Sequence, residues 1–303
     1  MSILEASRRD SLSGFLYATG AYMLWGILPL YMKAVAHMSP VEVIAHRMVW
    51  SVPVVLLTLL WLGRMADLKR ALTEPRTLMM AGVAAALVSI NWGTYVWAIG
   101  ADHALDAALG YFINPLFSIL LGRFLLKERL LVIQWLAIAL AGIGVGIVTW
   151  QLGQIPVVGL TLTISFGFYA YLKRALPIGP NQGFALEVIL LLPVGIGIIL
   201  WYALTGSGHF LVGSASDTSL LLGCGIVTAV PLILYANGAK RLNLTTIALM
   251  QYILPTTIFL IAVFWFREPL TLANLAAFGF IWGGLLLYSI SLLRVRPTSL
   301  EMT

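Results

Sequence analysis

Two stretches of the chain, 140 residues apart, share one pattern. Residues 108–128 read ALGYFINPLFSILLGRFLLKE, and residues 248–268 read ALMQYILPTTIFLIAVFWFRE. Both begin with Ala-Leu, carry a proline at the eighth position and end with a basic residue followed by glutamate. Each is apolar over most of its length, and about 20 apolar residues are what an α-helix needs to cross a bilayer. The two stretches therefore predict a pair of equivalent membrane-spanning helices.

The composition of the whole chain also indicates a membrane protein. Of its 303 residues, 60% are hydrophobic and 10% are charged, whereas soluble domains carry about 25% charged residues. Apolar runs of spanning length follow one another with short links and leave no room for a soluble domain. The ten runs cover residues 12–33, 41–62, 77–99, 104–124, 130–150, 155–173, 182–204, 218–238, 244–266 and 270–292. The predicted fold class is an all-α polytopic membrane protein with ten transmembrane helices.

The pattern of the first two stretches extends along the whole chain. A shift of 140 residues, without any gap, superimposes identical residues, among them Lys33 on Lys173, Tyr95 on Tyr235, Pro115 on Pro255 and Gly144 on Gly284. The chain is therefore predicted to consist of two five-helix repeats, residues 1–150 and 151–303. Because five is odd, the second repeat enters the membrane from the opposite face, so the repeats are inverted. Such a pair favours a transporter that works by alternating access.

The distribution of basic residues predicts the orientation in the membrane. With a cytoplasmic amino terminus, 15 of the 18 Lys and Arg residues lie in segments that face the cytoplasm. Lys33 and Arg267 lie on the other side, and Arg47 lies inside a span. An excess of Lys and Arg marks the cytoplasmic side of membrane proteins. Both termini are therefore expected in the cytoplasm, and the net charge of +6 does not point to nucleic acid.

Arg47 is the most costly side chain to place in this sequence. It lies well inside the second span, about 10 Å deep at 1.5 Å per residue, where an arginine costs about 2.5–3.5 kcal/mol on insertion scales. It is expected either to bind a substrate carboxylate or phosphate, or to pair with Glu42 or a carbonyl group. Its repeat equivalent, Glu187, is expected at the other end of the same cavity. Glu187 would hold a substrate amine or a coupling proton, or serve the structure alone.

Glu42 and His46 form a second candidate feature. They lie four residues apart and therefore share one face of a helix. A histidine beside a carboxylate can titrate near neutral pH and couple transport to protons. The alternative is a structural hydrogen bond between the two near the outer interface.

Pro115 and Pro255 lie in the middle of their predicted spans and are predicted hinges. Each removes one backbone hydrogen bond, and the carbonyl groups released in this way persist only against protein or a wet cavity. The residues near these prolines that are predicted to line the cavity are Tyr111, Asn114, Gln251 and Tyr252. The alternative is a pair of kinks that only shape the packing.

Polar and aromatic residues inside other spans complete the predicted cavity. Amide and phenol groups in an apolar helix need partners, and aromatic rings pack on flat ligands or on one another. The further lining candidates are Trp25, Asn91, Trp92, Tyr95 and Tyr235. Other tryptophans, namely Trp61, Trp150 and Trp201, are assigned to the interfacial belts of the bilayer.

Two other sequence features are interpreted as structural. Glu128 and Glu268 each precede a predicted helix and are expected to cap its free N–H groups. Two glycine pairs have the GxxxG spacing that permits close helix packing. These pairs are Gly142 with Gly146 and Gly279 with Gly283.

Several short motifs carry a family resemblance. They are residues 25–29 (WGILP), 46–51 (HRMVWS), 91–92 (NW), 108–116 (ALGYFINPL) and 251–256 (QYILPT), with Glu-Arg-Leu or Glu-Pro-Leu before the last helix of each half. Over the whole chain, the sequence resembles EamA-type transporters of the drug/metabolite transporter superfamily, and within them the RarD branch, named for chloramphenicol sensitivity. The resemblance implies a bacterial inner-membrane permease with both termini in the cytoplasm. It also implies a cavity surrounded by the first four spans of each half, and amino acids, related metabolites or drug-like compounds as substrates.

No sequence motif points to catalysis or to a cofactor. The chain has no GxxxxGK[S/T] loop, no HExxH motif and no cysteine–histidine cluster, so neither ATP hydrolysis nor a metal or cofactor is predicted. The predicted function is secondary transport of small polar or amphiphilic metabolites, with a small-molecule substrate and the lipid bilayer as partners. The alternatives are a non-transporting scaffold or sensor and, from another class, a membrane-embedded enzyme. The oligomeric state is left open.

Overall fold

The described part of the chain is built from α-helices. The computed structural model describes residues 12–125, 130–153, 155–212, 214–239, 241–242 and 250–294, and these ranges contain no β-strand. The helices are α1 (Leu12–Ala34), α2 (Pro40–Trp61), α3 (Met65–Ala71), α4 (Pro75–Gly100), α5 (Ala104–Leu125), α6 (Val132–Leu152), α7 (Val157–Ala175), α8 (Pro180–Thr205), α9 (Ala215–Ala239), α10 (Ile253–Leu260) and α11 (Leu272–Arg294). Helix α10 continues as a π-helix over Ile261–Trp265.

The lengths and composition of these helices agree with a membrane protein. Among the described residues, seven helices are long and apolar enough to cross a bilayer. Two shorter apolar helices, Val157–Lys173 and Ile253–Trp265, accompany them. The prediction of an all-helical membrane chain is therefore confirmed. The predicted ninth span, residues 244–266, lies partly outside the described residues, and α3 is a short helix that the apolar runs do not predict.

Proline and glycine residues set several helix ends. Helices α2, α4 and α8 begin with Pro40, Pro75 and Pro180, and proline suits this position because the first N–H groups of a helix have no intrahelical partner. Helices α6 and α8 are followed by Gly153 and Gly206, with φ values of 63° and 66°. This left-handed conformation strains residues with a Cβ and favours glycine.

The helices pack in a regular set of pairs. Helix α1 contacts α9 and α10, and α7 contacts α4 and α5. Helices α2 and α8 contact each other, and they also contact α9 and α4, respectively. Helices α6 and α11 pack mainly on each other at the side of the bundle. The two helices that carry Arg47 and Glu187, α2 and α8, are therefore central to the packing.

Two glycines allow α6 and α11 to approach closely. A Cβ atom at Gly144 would lie 2.9 Å from the carbonyl oxygen of Ala277, and one at Gly284 would lie 2.7 Å from that of Ala137. Three of the four glycines in the GxxxG pairs face open space; these are Gly142, Gly146 and Gly279. The close contact is therefore made by Gly144 and Gly284 and not by the glycines with GxxxG spacing.

The two proline regions have different conformations. Helix α5 continues without a break through Pro115, whereas Gln251 and Tyr252 form a turn and α10 begins only at Ile253. Pro255 is therefore in the first turn of a helix, where a missing N–H costs no intrahelical hydrogen bond, and not in the middle of one. The two proline regions thus differ in shape, and their role as hinges stays a prediction.

The tryptophans assigned to the interfacial belts lie on the outside of the bundle. Trp61, Trp150 and Trp201 are 87%, 90% and 66% exposed. Each lies in the last turns of its helix, in α2, α6 and α8. Exposed indole rings at helix ends are typical of the membrane–water interface.

Candidate functional site

Arg47 is buried in α2 without a carboxylate partner among the described residues. Its side chain is 3% exposed. Its Nε atom donates a hydrogen bond of 3.0 Å to Oγ1 of Thr228 in α9, and its guanidinium carbon lies 4.7 Å from the ring centroid of Trp92 in α4. Within the described part of the chain, its Nη1 atom has no hydrogen-bond partner. A buried charge that lacks a partner is costly, so the arrangement suits an anionic ligand.

Three tyrosine side chains lie within electrostatic range of this guanidinium group. Tyr31, Tyr95 and Tyr111 all lie close enough to Arg47 to interact with its charge, as does the thiol of Cys224. The hydroxyl of Tyr95 is buried and makes no hydrogen bond within the described ranges. Nη1 of Arg47 and the hydroxyl of Tyr95 are therefore two buried donors that the oxygens of a carboxylate or phosphate would satisfy.

Asn91 holds one side of this site in place. Its Nδ2 atom donates hydrogen bonds of 3.1 Å to the carbonyl oxygen of Leu162 and to Oγ of Ser165, both in α7. Its Oδ1 atom accepts a hydrogen bond of 3.3 Å from the hydroxyl of Tyr111 in α5. The rings of Tyr111 and Tyr95 lie 6.0 Å apart, edge to face. Asn91 thus joins α4 to α5 and α7 and fixes Tyr111 beside the other tyrosine.

Glu187 lies in a separate buried cluster. Its Oε1 atom accepts a hydrogen bond of 2.8 Å from Nζ of Lys173, and its Oε2 atom accepts one of 3.0 Å from the hydroxyl of Tyr169. Its charge is therefore neutralised by Lys173, whereas Arg47 has no carboxylate partner among the described residues. The sequence predicts the two charges at opposite ends of one cavity, but the structure gives them different neighbours.

Trp25 and Tyr235 come together beside this second cluster. With Tyr22 they form a triangle of rings whose centroids lie 5.7–5.9 Å apart. Tyr235 is also within electrostatic reach of Tyr169, the hydrogen-bond partner of Glu187. The predicted lining residues described so far thus divide into two groups. One group contains Arg47 and the other contains Glu187.

Glu42 and His46 have different partners. The carboxylate of Glu42 accepts a hydrogen bond of 2.6 Å from the backbone N–H of His209 and lies 2.8 Å from Nδ1 of the same residue. Nδ1 of His46 accepts a hydrogen bond of 2.9 Å from Nε1 of Trp50. The ring of His46 also packs against Phe210, with centroids 4.8 Å apart. The carboxylate therefore ties the α8–α9 link to α2, and the histidine belongs to an aromatic cluster.

The other predicted lining residues lie on α5 and at the start of α10. Asn114 is buried in α5, three residues after Tyr111 and therefore on a neighbouring part of the helix surface. Gln251 and Tyr252 form the half-buried turn before α10. Tyr252 lies near Tyr288 of α11, so it faces the helix pair α6 and α11 at the side of the bundle.

Glu268 caps α5, a helix that is distant in the sequence. Its carboxylate accepts hydrogen bonds of 2.8 Å and 2.9 Å from the backbone N–H groups of Ala104 and Leu105, the first residues of α5. The expectation that it caps the helix that follows it is therefore wrong. Burial raises the pKa of Glu268 above its ordinary value of 4.5, although the two N–H groups oppose this. Glu128 lies outside the described residues.

Some residues of these sites could not be found from the sequence. Thr228 and Cys224 lie in an apolar span, and only the packing of α2 on α9 shows that they face Arg47. Lys173 did carry a signal, because it is the repeat equivalent of Lys33. Its pairing with Glu187 required the fold.

Comparisons with known proteins identify the family to which the chain is similar. Residues 12–150 match the EamA-like transporter family. The chain is 39% identical to an uncharacterized transporter of Vibrio cholerae over 95% of each chain. It is 36% identical to protein RarD of Streptomyces exfoliatus, over 97% of this chain and 93% of the relative. It is 35% identical to protein RarD of Escherichia coli, over 92% and 95%, respectively.

A solved crystal structure supports the fold alone. It matches with a TM-score of 0.61 at 20% sequence identity, over 93% of this chain and 99% of the solved chain. The apolar helices and the relatives named transporters together indicate a multi-pass membrane protein that transports small molecules. With relatives of this identity along almost its whole length, the chain belongs to the EamA-like transporter family, in its RarD branch.

Proposed function

We propose that the protein is a secondary transporter that moves small metabolites carrying a carboxylate or another oxyanion across the bacterial inner membrane. The observation that carries the proposal is the buried charge of Arg47, which has a hydroxyl and an indole ring beside it but no carboxylate among the described residues. The planar guanidinium group suits carboxylates and phosphates. Amino acids and drug-like acids are among the compounds that fit this description.

Alternating access is the mechanism that we propose, with residues 1–150 and 151–303 as inverted repeats. The 140-residue shift exchanges α1 with α7, α2 with α8, α4 with α9, α5 with α10 and α6 with α11. Under this exchange the α1–α9 contact becomes α7–α4, and the α1–α10 contact becomes α7–α5; both pairs are present. The reciprocal approach of Gly144 to Ala277 and of Gly284 to Ala137 follows the same rule. These pairings support a two-fold relation between the halves.

The orientation that we propose follows the basic residues, with both termini in the cytoplasm. The outer end of the bundle is then the end with the α1–α2, α4–α5, α6–α7, α8–α9 and α10–α11 links. In the structure several side chains tie these links together: Lys33 to Asp102, Glu42 to His209, His37 to Asp217 and Glu268 to the start of α5. The ties support an outer end that is closed in this state.

A ligand screen tests the proposed function. The purified protein is heated with amino acids, nucleosides, organic acids and chloramphenicol-like drugs, beside the variants Arg47→Ala and Glu187→Gln. An organic acid or amino acid is expected to raise the melting temperature of the parent and of Glu187→Gln, but not that of Arg47→Ala. If the compounds that stabilise the parent are all uncharged or cationic, or if they stabilise Arg47→Ala equally, the anion site at Arg47 is refuted.

A further inference from the structure

Lys33 and Lys173 are equivalent residues of the two repeats, but they have different partners. Nζ of Lys173 lies 2.8 Å from Oε1 of Glu187. Lys33 forms an ion pair with Asp102 in the α4–α5 link, and its Nζ lies 3.5 Å from the carbonyl oxygen of Ile99. The 140-residue shift converts the pair Lys173–Glu187 into Lys33–Arg47. An ion pair in the second repeat therefore corresponds to two positive charges in the first.

This difference matters when the transporter changes state. In a carrier made of inverted repeats, the second state arises when the two halves exchange their conformations. Residues 33 and 47 would then take the relative position that Lys173 and Glu187 now hold, with charged atoms 2.8 Å apart. Two cations at such a distance repel each other strongly where water is scarce. After the exchange, Lys173 would take the relative position that Lys33 now holds. It would find no aspartate there, because residue 242, the repeat equivalent of Asp102, is a leucine.

We propose that the transported anion binds between Lys33 and Arg47, and that this binding is required for the outer end to open. Lys33 is then a second cationic side chain that binds the anion, and it does so only in the state that is open at the outer end. The repulsion of the two side chains keeps the empty carrier closed at its outer end, so uptake from the outer side requires exchange for an anion bound from the inside. This inference rests on the proposed function, from which it takes alternating access and the anion site at Arg47.

The present partner of Lys33 offers a simpler explanation, which has to be separated from the repulsion. The ion pair of Lys33 with Asp102 could itself hold the outer end closed. The side chains of Lys33 and Asp102 are 35% and 67% exposed, and ion pairs as exposed as this stabilise a structure very little. Substitution of either residue breaks the ion pair, but only substitution of Lys33 removes the charge that repels Arg47. The two substitutions therefore distinguish the explanations.

The single cysteine of the chain is a built-in reporter of opening. Cys224 is fully buried in α9. It lies between the outer end of that helix, at Ala215, and Thr228, the partner of Arg47. A cavity that opens at the outer end and reaches Arg47 would expose its thiol. The rate of reaction with a water-soluble maleimide, measured on the purified protein in detergent without added ligand, therefore reports the fraction of open protein.

The variants Lys33→Ala and Asp102→Asn make the decisive comparison. We expect Lys33→Ala to react about tenfold faster than the parent or more, as removal of one strong charge repulsion allows, and Asp102→Asn to stay within about twofold of the parent, as for an exposed pair. Lys33→Glu, which places a carboxylate opposite Arg47, should react fastest. Unfolding in denaturant verifies that the thiol of each variant is reactive.

Equal acceleration in Lys33→Ala and Asp102→Asn would overturn the inference, because the ion pair alone would then control opening. Unchanged labelling in Lys33→Ala would overturn it as well. A double-mutant cycle adds a second test, since Lys33→Ala should have no further effect in an Arg47→Ala background. These results concern only the closed state of the empty protein. Failure of the proposed function would instead appear in the ligand screen, as the absence of stabilisation that depends on Arg47.

Discussion

Nε of Arg47 donates a hydrogen bond of 3.0 Å to Oγ1 of Thr228, and the same hydroxyl donates one of 2.7 Å to the carbonyl oxygen of Cys224. The threonine thus fixes the orientation of the guanidinium group relative to α9. One edge of the group is used for this contact, and Nη1 stays available for a ligand. The proposed anion site rests on this arrangement of Arg47 and Thr228.

Thr228→Val should weaken both stability and ligand binding. The valine has nearly the same shape but leaves Nε of Arg47 without an acceptor, which typically costs about 1–3 kcal/mol of unfolding free energy. The melting temperature in detergent measures the loss. Thr58→Val in α2 is the matched control, because Thr58 donates only to the carbonyl oxygen of Val54. A loss no larger at position 228 than at position 58 would argue against a positioning role for Thr228.

Gly144→Ala and Gly284→Ala should destabilise the protein by similar amounts. Each new Cβ would lie within 3 Å of a carbonyl oxygen across the α6–α11 contact, and overpacking of this kind costs about 1–3 kcal/mol. Gly142→Ala in the same helix has open space around its Cβ and should be neutral or slightly stabilising. Thermal melting of the three variants measures the difference, and equal stability of all three would contradict the close contact.

Lys173→Ala should cost more than the double substitution Lys173→Ala with Glu187→Gln. The single change leaves the carboxylate of Glu187 buried at 1% side-chain exposure without its cation, and breaking a buried ion pair on one side costs about 3–5 kcal/mol. The double change removes both charges and avoids most of this penalty. Melting temperatures of the parent, the two single variants and the double variant complete the cycle. Additive losses would show that the two charges do not interact.

Glu268→Ala should lower the unfolding free energy by about 0.5–2 kcal/mol, the usual value of a lost helix cap. The pH dependence carries a second signal. Burial raises the pKa of Glu268 above 4.5 in the folded protein. Protonation of Glu268 therefore favours the folded state, and its contribution to the unfolding free energy is largest below the unfolded-state pKa. The contribution is lost as the pH rises through the folded-state pKa. Glu268→Gln does not titrate, so its melting temperature relative to the parent should increase with pH over this window. A constant difference would contradict the raised pKa.

The all-helical membrane architecture could be predicted from the sequence, because apolar runs of spanning length are a local signal. Arg47 is a candidate from the sequence alone, because a charge inside an apolar span is costly to bury. The partners could not be predicted. Which side chain faces Arg47 or Glu187 depends on how α2 packs on α9 and where α7 lies, and Thr228 in an apolar span has no sequence signal. Glu268 shows the same limit, since the helix that it caps is distant in sequence.

The most direct test of the central claim is uptake of a labelled anionic compound, chosen because it stabilises the parent protein in the ligand screen, into proteoliposomes preloaded with the same unlabelled compound. The parent, Arg47→Ala and Trp61→Ala are compared at equal amounts of folded protein. Trp61 is a matched control because it is 87% exposed on the outside of the bundle. We predict that the parent and Trp61→Ala accumulate the compound and that Arg47→Ala does not. Equal uptake by Arg47→Ala, or no uptake by the parent, would contradict the account of an anion transporter built around Arg47.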